Sequence, residues 1–247
     1  MSVFLQPGAE PRVVFVSQLA LGGAGWSVVA ERLTCGAATV MYDRPGTGDA
    51  PPRPAPNPDL PPSAFADELA RLLDEAGITQ PVVVVGHSFG GNIVRLFAGR
   101  HPERVAGLVY LDCSVPRQRL WDGTTPILDG AESGTAIDLV LSEVEVLQAP
   151  SPAVPSVVVA SEASNWNEDL PHPAVTDLWA VHQRILAGQV GGPLVTAVRA
   201  SHQIPAEAPD LVAYCVDAVV RAAANGGVPV LTADEVARVG GRLEQSA

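Results

Sequence analysis

VVVVGHSFGGNIVRLFAGRHPERVAGLVYLD, from Val82 to Asp112, passes from a β-branched run into a helical stretch and back into an apolar run. At the first junction stands Gly86-His87-Ser88-Phe89-Gly90, a GxSxG pattern between a strand and a helix. A serine on such a turn is held in a strained backbone conformation with its Oγ exposed, while Gly86 and Gly90 let strand and helix approach closely. Phe89 begins the helix, so its backbone N–H faces any oxyanion formed at the serine, where the helix dipole favours negative charge. Ser88 is the candidate nucleophile. The blander reading is a serine that caps a helix, and the order strand, elbow, helix favours the nucleophile over it.

The same alternation runs along the rest of the chain. Candidate strands are Arg12–Ser17, Ala38–Asp43, Pro81–Gly86, Val105–Asp112, Ser156–Ser161 and Leu194–Arg199, with candidate helices at 24–34, 63–76, 89–100 and 208–224. Short β-branched runs between helices predict an α/β fold, a mostly parallel sheet flanked by helices on both faces. Phe65, Leu69, Leu72 and Leu73 form one stripe of the second helix, opposite acids and an arginine. With 247 residues, the expectation is one domain spanning 1–247. The proline-rich stretch Pro51 to Pro62 predicts an extended surface loop. The segment 113–154 fits the alternation poorly: Trp121, Ile127, Ile137, Leu139, Leu141, Val144 and Leu147 lie among Gly, Pro and acids. It predicts a short lid inserted between the strands ending near 112 and 161, with a plain surface excursion as the simpler reading. The tail from 228 predicts a terminal helix at 233–244.

Composition excludes several classes. Apolar residues make up 47% of the chain and the net charge is −12, which disfavours nucleic acid as a partner. No apolar run approaches the length of a membrane span, and MSVFLQPGAEPR has neither the basic nor the long apolar part of an export signal, so a cytoplasmic protein with a small-molecule substrate is expected. Cys35, Cys113 and Cys215 are an odd, scattered set without CxxC, so neither a disulfide framework nor a metal site is indicated. There is no GxGxxG opening a first helix, no P-loop and no HExxH, so no cofactor is expected.

The chain resembles the serine-nucleophile branch of the α/β-hydrolase superfamily over nearly its full length. Beyond the GHSFGG elbow, the block VMYDRPGTG, Val40 to Gly48, resembles the strand and turn that precede the family's second helix. Ala200 to Val212, ASHQIPAEAPDLV, resembles the block in which a histidine follows the last strand and a Pro-acid pair opens the last helix. The resemblance implies that His202 is the general base, a task its imidazole suits at neutral pH. Of the other histidines, His87 lies inside the elbow with its side chain expected to turn away from Ser88 Oγ, and His101 opens the HPER turn and is expected at the surface. His172 and His182 precede the last strand, on a pocket wall or on the surface.

The family usually places the triad acid after the strand assigned to Ser156–Ser161, but Ser164 stands at that position here, with Glu162 and Asp169 nearby. Some members carry the acid at the end of the preceding strand, and there this chain has Asp112, the favoured candidate for orienting His202 through Nδ1. Asp112 could instead cap the turn in DCSVP. The family's first strand normally ends in His-Gly; here Ser17 and Gln18 replace that pair, with Leu19 next. The resemblance implies the Leu19 N–H as a second oxyanion donor, with the Gln18 side chain intruding on the pocket. The GGAG at 22–25 reads as a flexible turn before the first helix, with a fainter likeness to an oxyanion loop.

Ser88 at the nucleophile position argues against the family's epoxide hydrolases and haloalkane dehalogenases, which use aspartate there. What the resemblance implies is hydrolysis of an ester, lactone or thioester of a small to medium hydrophobic compound. Two alternatives stand beside it. A lyase or a cyclase/acyltransferase of natural-product tailoring is suggested by Gln18, since hydroxynitrile lyases of this superfamily also have a polar side chain there. A non-catalytic binding protein is suggested by the missing aspartate at 164.

Overall fold

Alternate residues of the valine run leave the backbone on opposite sides, and both sides are covered. Val82 and Val84 join a buried cluster with Phe65, Leu69, Leu73, Ile93 and Phe97, while Val83 and Val85 join a second with Phe15, Trp26, Val212 and Val216. A strand buried on both faces must be apolar at every position, which is why it reads as a run and not as an alternation. The computed structural model describes residues 1–53, 60–116, 127–132, 135–162 and 173–245.

Its main sheet has eight strands: β1 (Ser2–Gln6), β2 (Ala9–Val16), β3 (Ala37–Asp43), β4 (Val82–His87), β5 (Val105–Leu111), β8 (Ser156–Ser161), β9 (Leu194–Ala197) and β10 (Gly241–Leu243). They lie in the order β1-β3-β2-β4-β5-β8-β9-β10. The six central strands are parallel, and β1 and β10 close the edges antiparallel. A separate hairpin of β6 (Ile127–Glu132) and β7 (Thr135–Asp138) belongs to the excursion after β5. One face carries α2 (Pro62–Glu75), α3 (Phe89–Arg100), α4 (Leu139–Gln148) and α5 (Pro173–Val190), and the other carries α1 (Ser27–Ala30), α6 (Pro209–Asn225) and α7 (Ala233–Arg238). This is the α/β-hydrolase fold expected from the sequence.

All six strands read from the sequence are present, their ends within three residues of expectation. The expected helix at 24–34 is a 3-10 turn, Gly23–Trp26, followed by the short α1. The tail is corrected too: α7 ends at Arg238, and Gly240, with φ of 87°, turns the chain into edge strand β10 where helix was expected. Of the proline-rich loop, 54–59 lie outside the described residues, and Pro62 already opens α2, where its missing N–H costs nothing. Of the expected lid segment, 117–126 and 133–134, including Trp121, lie outside the described residues. The described remainder forms the hairpin and α4, which is tied to α2 by Ser63 Oγ donating to Glu145 (2.6 Å) and to α3 by Asn92 donating to Ser142 (3.3 Å).

The apolar stripe of α2 is buried as its spacing predicts, with Leu69 and Leu73 fully enclosed. Leu69→Ala is expected to cost about 2–5 kcal/mol in urea unfolding through the cavity it leaves; a loss below about 1 kcal/mol would show that α2 is not packed as core.

Candidate active site

The C-terminal ends of the parallel strands bring the site together, as open α/β sheets do. Ser88 follows β4 with φ 55° and ψ −122°, a left-handed conformation that its backbone contacts enforce. Its N–H donates to Leu111 O (3.0 Å), and its own carbonyl accepts from Gly91 (2.9 Å) and Ser114 (3.1 Å). A Cβ on Gly90 would lie 2.3 Å from Val16 O, so the second elbow glycine is what lets α3 start against the end of β2. Gly91, which the motif reading did not single out, is equally constrained, because a Cβ there would meet Cys113 Sγ at 2.1 Å. Phe89 opens α3, so its N–H has no acceptor one turn back.

Asp112 ends β5 with φ 44° and is fully buried. Its carboxylate accepts four hydrogen bonds. Oδ1 takes the N–H of Ser161 (2.8 Å) and Nε1–H of Trp179 (2.7 Å); Oδ2 takes the Ser161 hydroxyl (2.9 Å) and Nδ1–H of His202 (2.7 Å). These donors replace the water that a buried carboxylate has lost. Trp179 also stands edge-on to the His202 ring, centroids 6.0 Å apart. Leu111 O holds Ser88 N and the side chain of Asp112, the next residue, holds His202, so the end of β5 anchors both the elbow backbone and the histidine; no hydrogen bond joins Ser88 Oγ to His202 among the described residues.

The other acids stand elsewhere. Glu162 is exposed, accepting from the Arg199 N–H (2.9 Å) and pairing with Arg242 (3.0 Å), and these contacts hold its carboxyl below the usual range. Asp169, Ser164, Trp166 and His172 lie outside the described residues. His182 sits on α5, its Nδ1 2.7 Å from Leu178 O. His101 is half-buried against Phe97 (centroids 5.4 Å), which corrects the expectation of a surface position: the turn after α3 folds its ring back onto the helix end.

His87 is buried beneath His202. Its Nε2 lies 2.7 Å from His202 O, and because a carbonyl only accepts, Nε2 carries the proton. The rings are 4.9 Å apart. Burial first, and the neighbouring His202 second, push its pKa down to about 4, so His87 is neutral and supports the His202 loop.

On the opposite side of the elbow, Ser17 Oγ accepts from Trp26 Nε1 (2.9 Å) and donates to Gly22 O (3.0 Å), closing the turn after β2. The GGAG segment is not flexible: Gly23 N–H donates to buried Asp43 (2.7 Å), and a Cβ on Gly23 would meet Tyr42 N at 2.5 Å. Gly22 and Gly23 are packing residues, while a Cβ on Gly25 would meet open space. Gln18 donates through Nε2 to Gln203 Oε1 (3.0 Å), linking the turn to the residue after His202, and both side chains line a small cleft with His87 and Trp26. No described residue accepts from the Leu19 N–H. Beside the elbow, a cleft between α3, α4 and α5 is lined by Cys113, Val115, Val146, Leu147, Ile185 and Leu186. Not foreseen from the sequence were Trp179 and Ser161 as partners of Asp112 and the contact of His87 with the His202 carbonyl. The helical spacing of Trp179, Leu186 and Val190 was the available signal for α5.

Known proteins agree with this architecture. A family model described as alpha/beta hydrolase fold matches residues 11–130. The pimeloyl-acyl-carrier-protein methyl ester esterase of Chromobacterium violaceum is 28% identical over 238 residues, 87% of this chain and 89% of that protein. Lipase LipV of Mycobacterium tuberculosis is 39% identical over 84 residues, 34% of this chain and 28% of the lipase. A thermophilic esterase from Thermogutta terrifontis has the same fold, with a TM-score of 0.63 at 18% identity over 90% of this chain and 93% of its own. Residues 11–130 match the alpha/beta hydrolase family, the chain has the α/β-hydrolase fold, and it is an enzyme of the hydrolase class. No helix among the described residues is long and apolar enough to cross a membrane.

The buried His87 makes stability depend on pH with a definite sign. An unfolded chain takes up a proton near pH 6.5 that the folded chain refuses until about pH 4, so stability is complete above the first value and declines as pH falls toward the second, by about 3 kcal/mol at most. In urea unfolding at pH 7.0 and 4.5, His87→Asn is expected to lose less stability over that interval than the wild type; equal losses would remove His87 from the account.

Proposed function

We propose that this hydrolase cleaves an ester, lactone or thioester of a small to medium hydrophobic compound, through an acyl-enzyme on Ser88 with His202 as base and Asp112 as orienting acid. The observation that carries the reading is the 2.7 Å contact of His202 Nδ1 with a fully buried, four-fold hydrogen-bonded Asp112. With Nδ1–H committed to Asp112, the basic lone pair of His202 is on Nε2. His202 takes the hydroxyl proton as Ser88 Oγ bonds to the substrate's acyl carbon, and the carbonyl π electrons move onto oxygen. The N–H groups of Phe89 and Leu19 donate to that oxyanion. The intermediate collapses, the bond to the leaving oxygen or sulfur breaks, and His202 returns the proton to it. Water, deprotonated by the same imidazole, then releases the acid and restores Ser88.

The cleft beside α3, where Val115, Val146, Leu147, Ile185 and Leu186 stand with Asn92, Arg95 and Gln189, gives room for a partly apolar acyl or alcohol chain next to the elbow, although neither Ser88 nor His202 lines it. The names of the similar proteins, a methyl ester esterase, a lipase and a thermophilic esterase, point to the same bond class. The lyase reading rests on the polar Gln18 side chain, which lines a small cleft with His87 and Gln203 and is tied to Gln203; that contact by itself favours neither chemistry.

The deciding experiment is labelling with a fluorophosphonate probe at neutral pH. The wild type and Glu162→Gln are expected to label, Ser88→Ala and His202→Ala to remain unlabelled, and Asp112→Asn to react about 10⁴-fold more slowly through the wrong histidine tautomer. A folded wild type that stays unlabelled overturns the proposal, and a labelled Ser88→Ala moves the nucleophile elsewhere.

A further inference from the structure

The turn after β2 is held from behind by a buried ion pair that the proposed chemistry has not used. Arg44, just after β3, and Glu132, at the end of β6, have side chains 2% and 0% exposed. Arg44 Nε donates to Glu132 Oε1 (2.9 Å), and Nη2 reaches the same carboxylate. The guanidinium's remaining bonds go to two successive backbone carbonyls: Nη1 donates to Ser17 O (2.8 Å) and Nη2 to Gln18 O (2.6 Å).

A buried ion pair is a weak source of stability, since its desolvation offsets most of its attraction. What this one does is aim a peptide. Among the described residues the cis bond is Glu10–Pro11, so the Gln18–Leu19 peptide is trans and its N–H points opposite to its C=O. With Gln18 O drawn toward Arg44, the Leu19 N–H is turned away from the guanidinium, and no described residue accepts from it. The turn lies beside the elbow. Val16, the last paired residue of β2, is in register with Gly86, and the start of α3 abuts the carbonyls of Val16 and Ser17. Ser17 and Gln18 lie beyond that pairing, so without the clamp their peptides lose these partners and can rotate. The polarised carbonyl also makes the N–H of the same peptide a stronger donor.

We propose that Arg44 is a positioning residue that fixes the Leu19 N–H as an oxyanion donor, with Glu132 holding the guanidinium in place. The excursion after β5 would thereby control the opposite side of the site. This rests on the reading of Ser88 as nucleophile and Leu19 as donor.

The test uses the whole chain and a short-chain p-nitrophenyl ester. Arg44→Met is combined with Glu132→Leu so that no lone charge is left buried. The folded double variant is expected to lose about 10²-fold in kcat, with KM changed by less than about threefold. Inhibition by a trifluoromethyl ketone, whose tetrahedral adduct places an oxyanion at the same point, is expected to weaken about 10²-fold. The acidic limb of the pH–rate profile should stay where it is, because His202 and Asp112 are untouched. Arg44→Lys, which keeps a cation without the fork, is expected to fall between, near tenfold in kcat. A folded double variant with kcat within about threefold of wild type, or with unchanged ketone inhibition, overturns the proposal. If the double variant does not fold, Arg44→Lys decides, and full activity there overturns it. Fluorophosphonate labelling of the wild type separates the two levels: a labelled Ser88 with an inert Arg44 sinks this inference alone, whereas an unlabelled wild type sinks both.

Discussion

A carboxylate buried at the end of β5 is the constraint around which the rest of the site is arranged. Taking the Asp112 charge out of water is costly unless donors replace the lost hydration. The fold supplies four donor contacts from three places: Ser161 at the end of β8, Trp179 on α5 and His202 after β9. None of these can move without leaving the charge under-solvated. The order of strands follows the same logic, since β5 lies between β4, which carries Ser88, and β8, which carries Ser161.

The two sides of the elbow solve different problems by similar means. On the His202 side, a buried carboxylate fixes the tautomer and orientation of the imidazole, while neutral His87 supports the same loop from below through the His202 carbonyl. At the turn after β2, the groups held are backbone peptides, which carry no side chain to grip, and a guanidinium holds them by their carbonyls. Arg suits that task because its planar fork presents several donors in fixed directions. In both places the charged group reaching the site is itself enclosed, so its partners are set by the fold and screened little by solvent.

What was legible in the sequence was local or periodic. The elbow shows itself because strand, turn and helix are contiguous, and the central strands because burial on both faces demands apolar residues throughout. The stripe of Phe65, Leu69, Leu72 and Leu73 gave away α2 for the same reason. The edges were missed where that pressure is absent. β1 exposes Val3, Phe4 and Leu5, and β10 has only three residues and was read as part of a helix. The glycines at 22 and 23 look alike for flexibility and for tight packing until β3 is seen pressed against them.

The sequence by itself determined the fold class and the elbow on which Ser88 stands, since both are written in neighbouring residues, and the likeness of the C-terminal block pointed to His202 as the candidate base. It could not choose among Asp112, Glu162 and Asp169, because an acid's partner depends on which chain ends the sheet brings together, and the bonds to Asp112 span 49 to 90 residues. Tertiary structure alone turned Glu162 outward to Arg242, enclosed Asp112 among its donors and joined Arg44 to Glu132 across 88 residues. Hydrogen bonds and buried charges are satisfied in space, and nothing in the spacing of residues along a chain records which distant groups will meet.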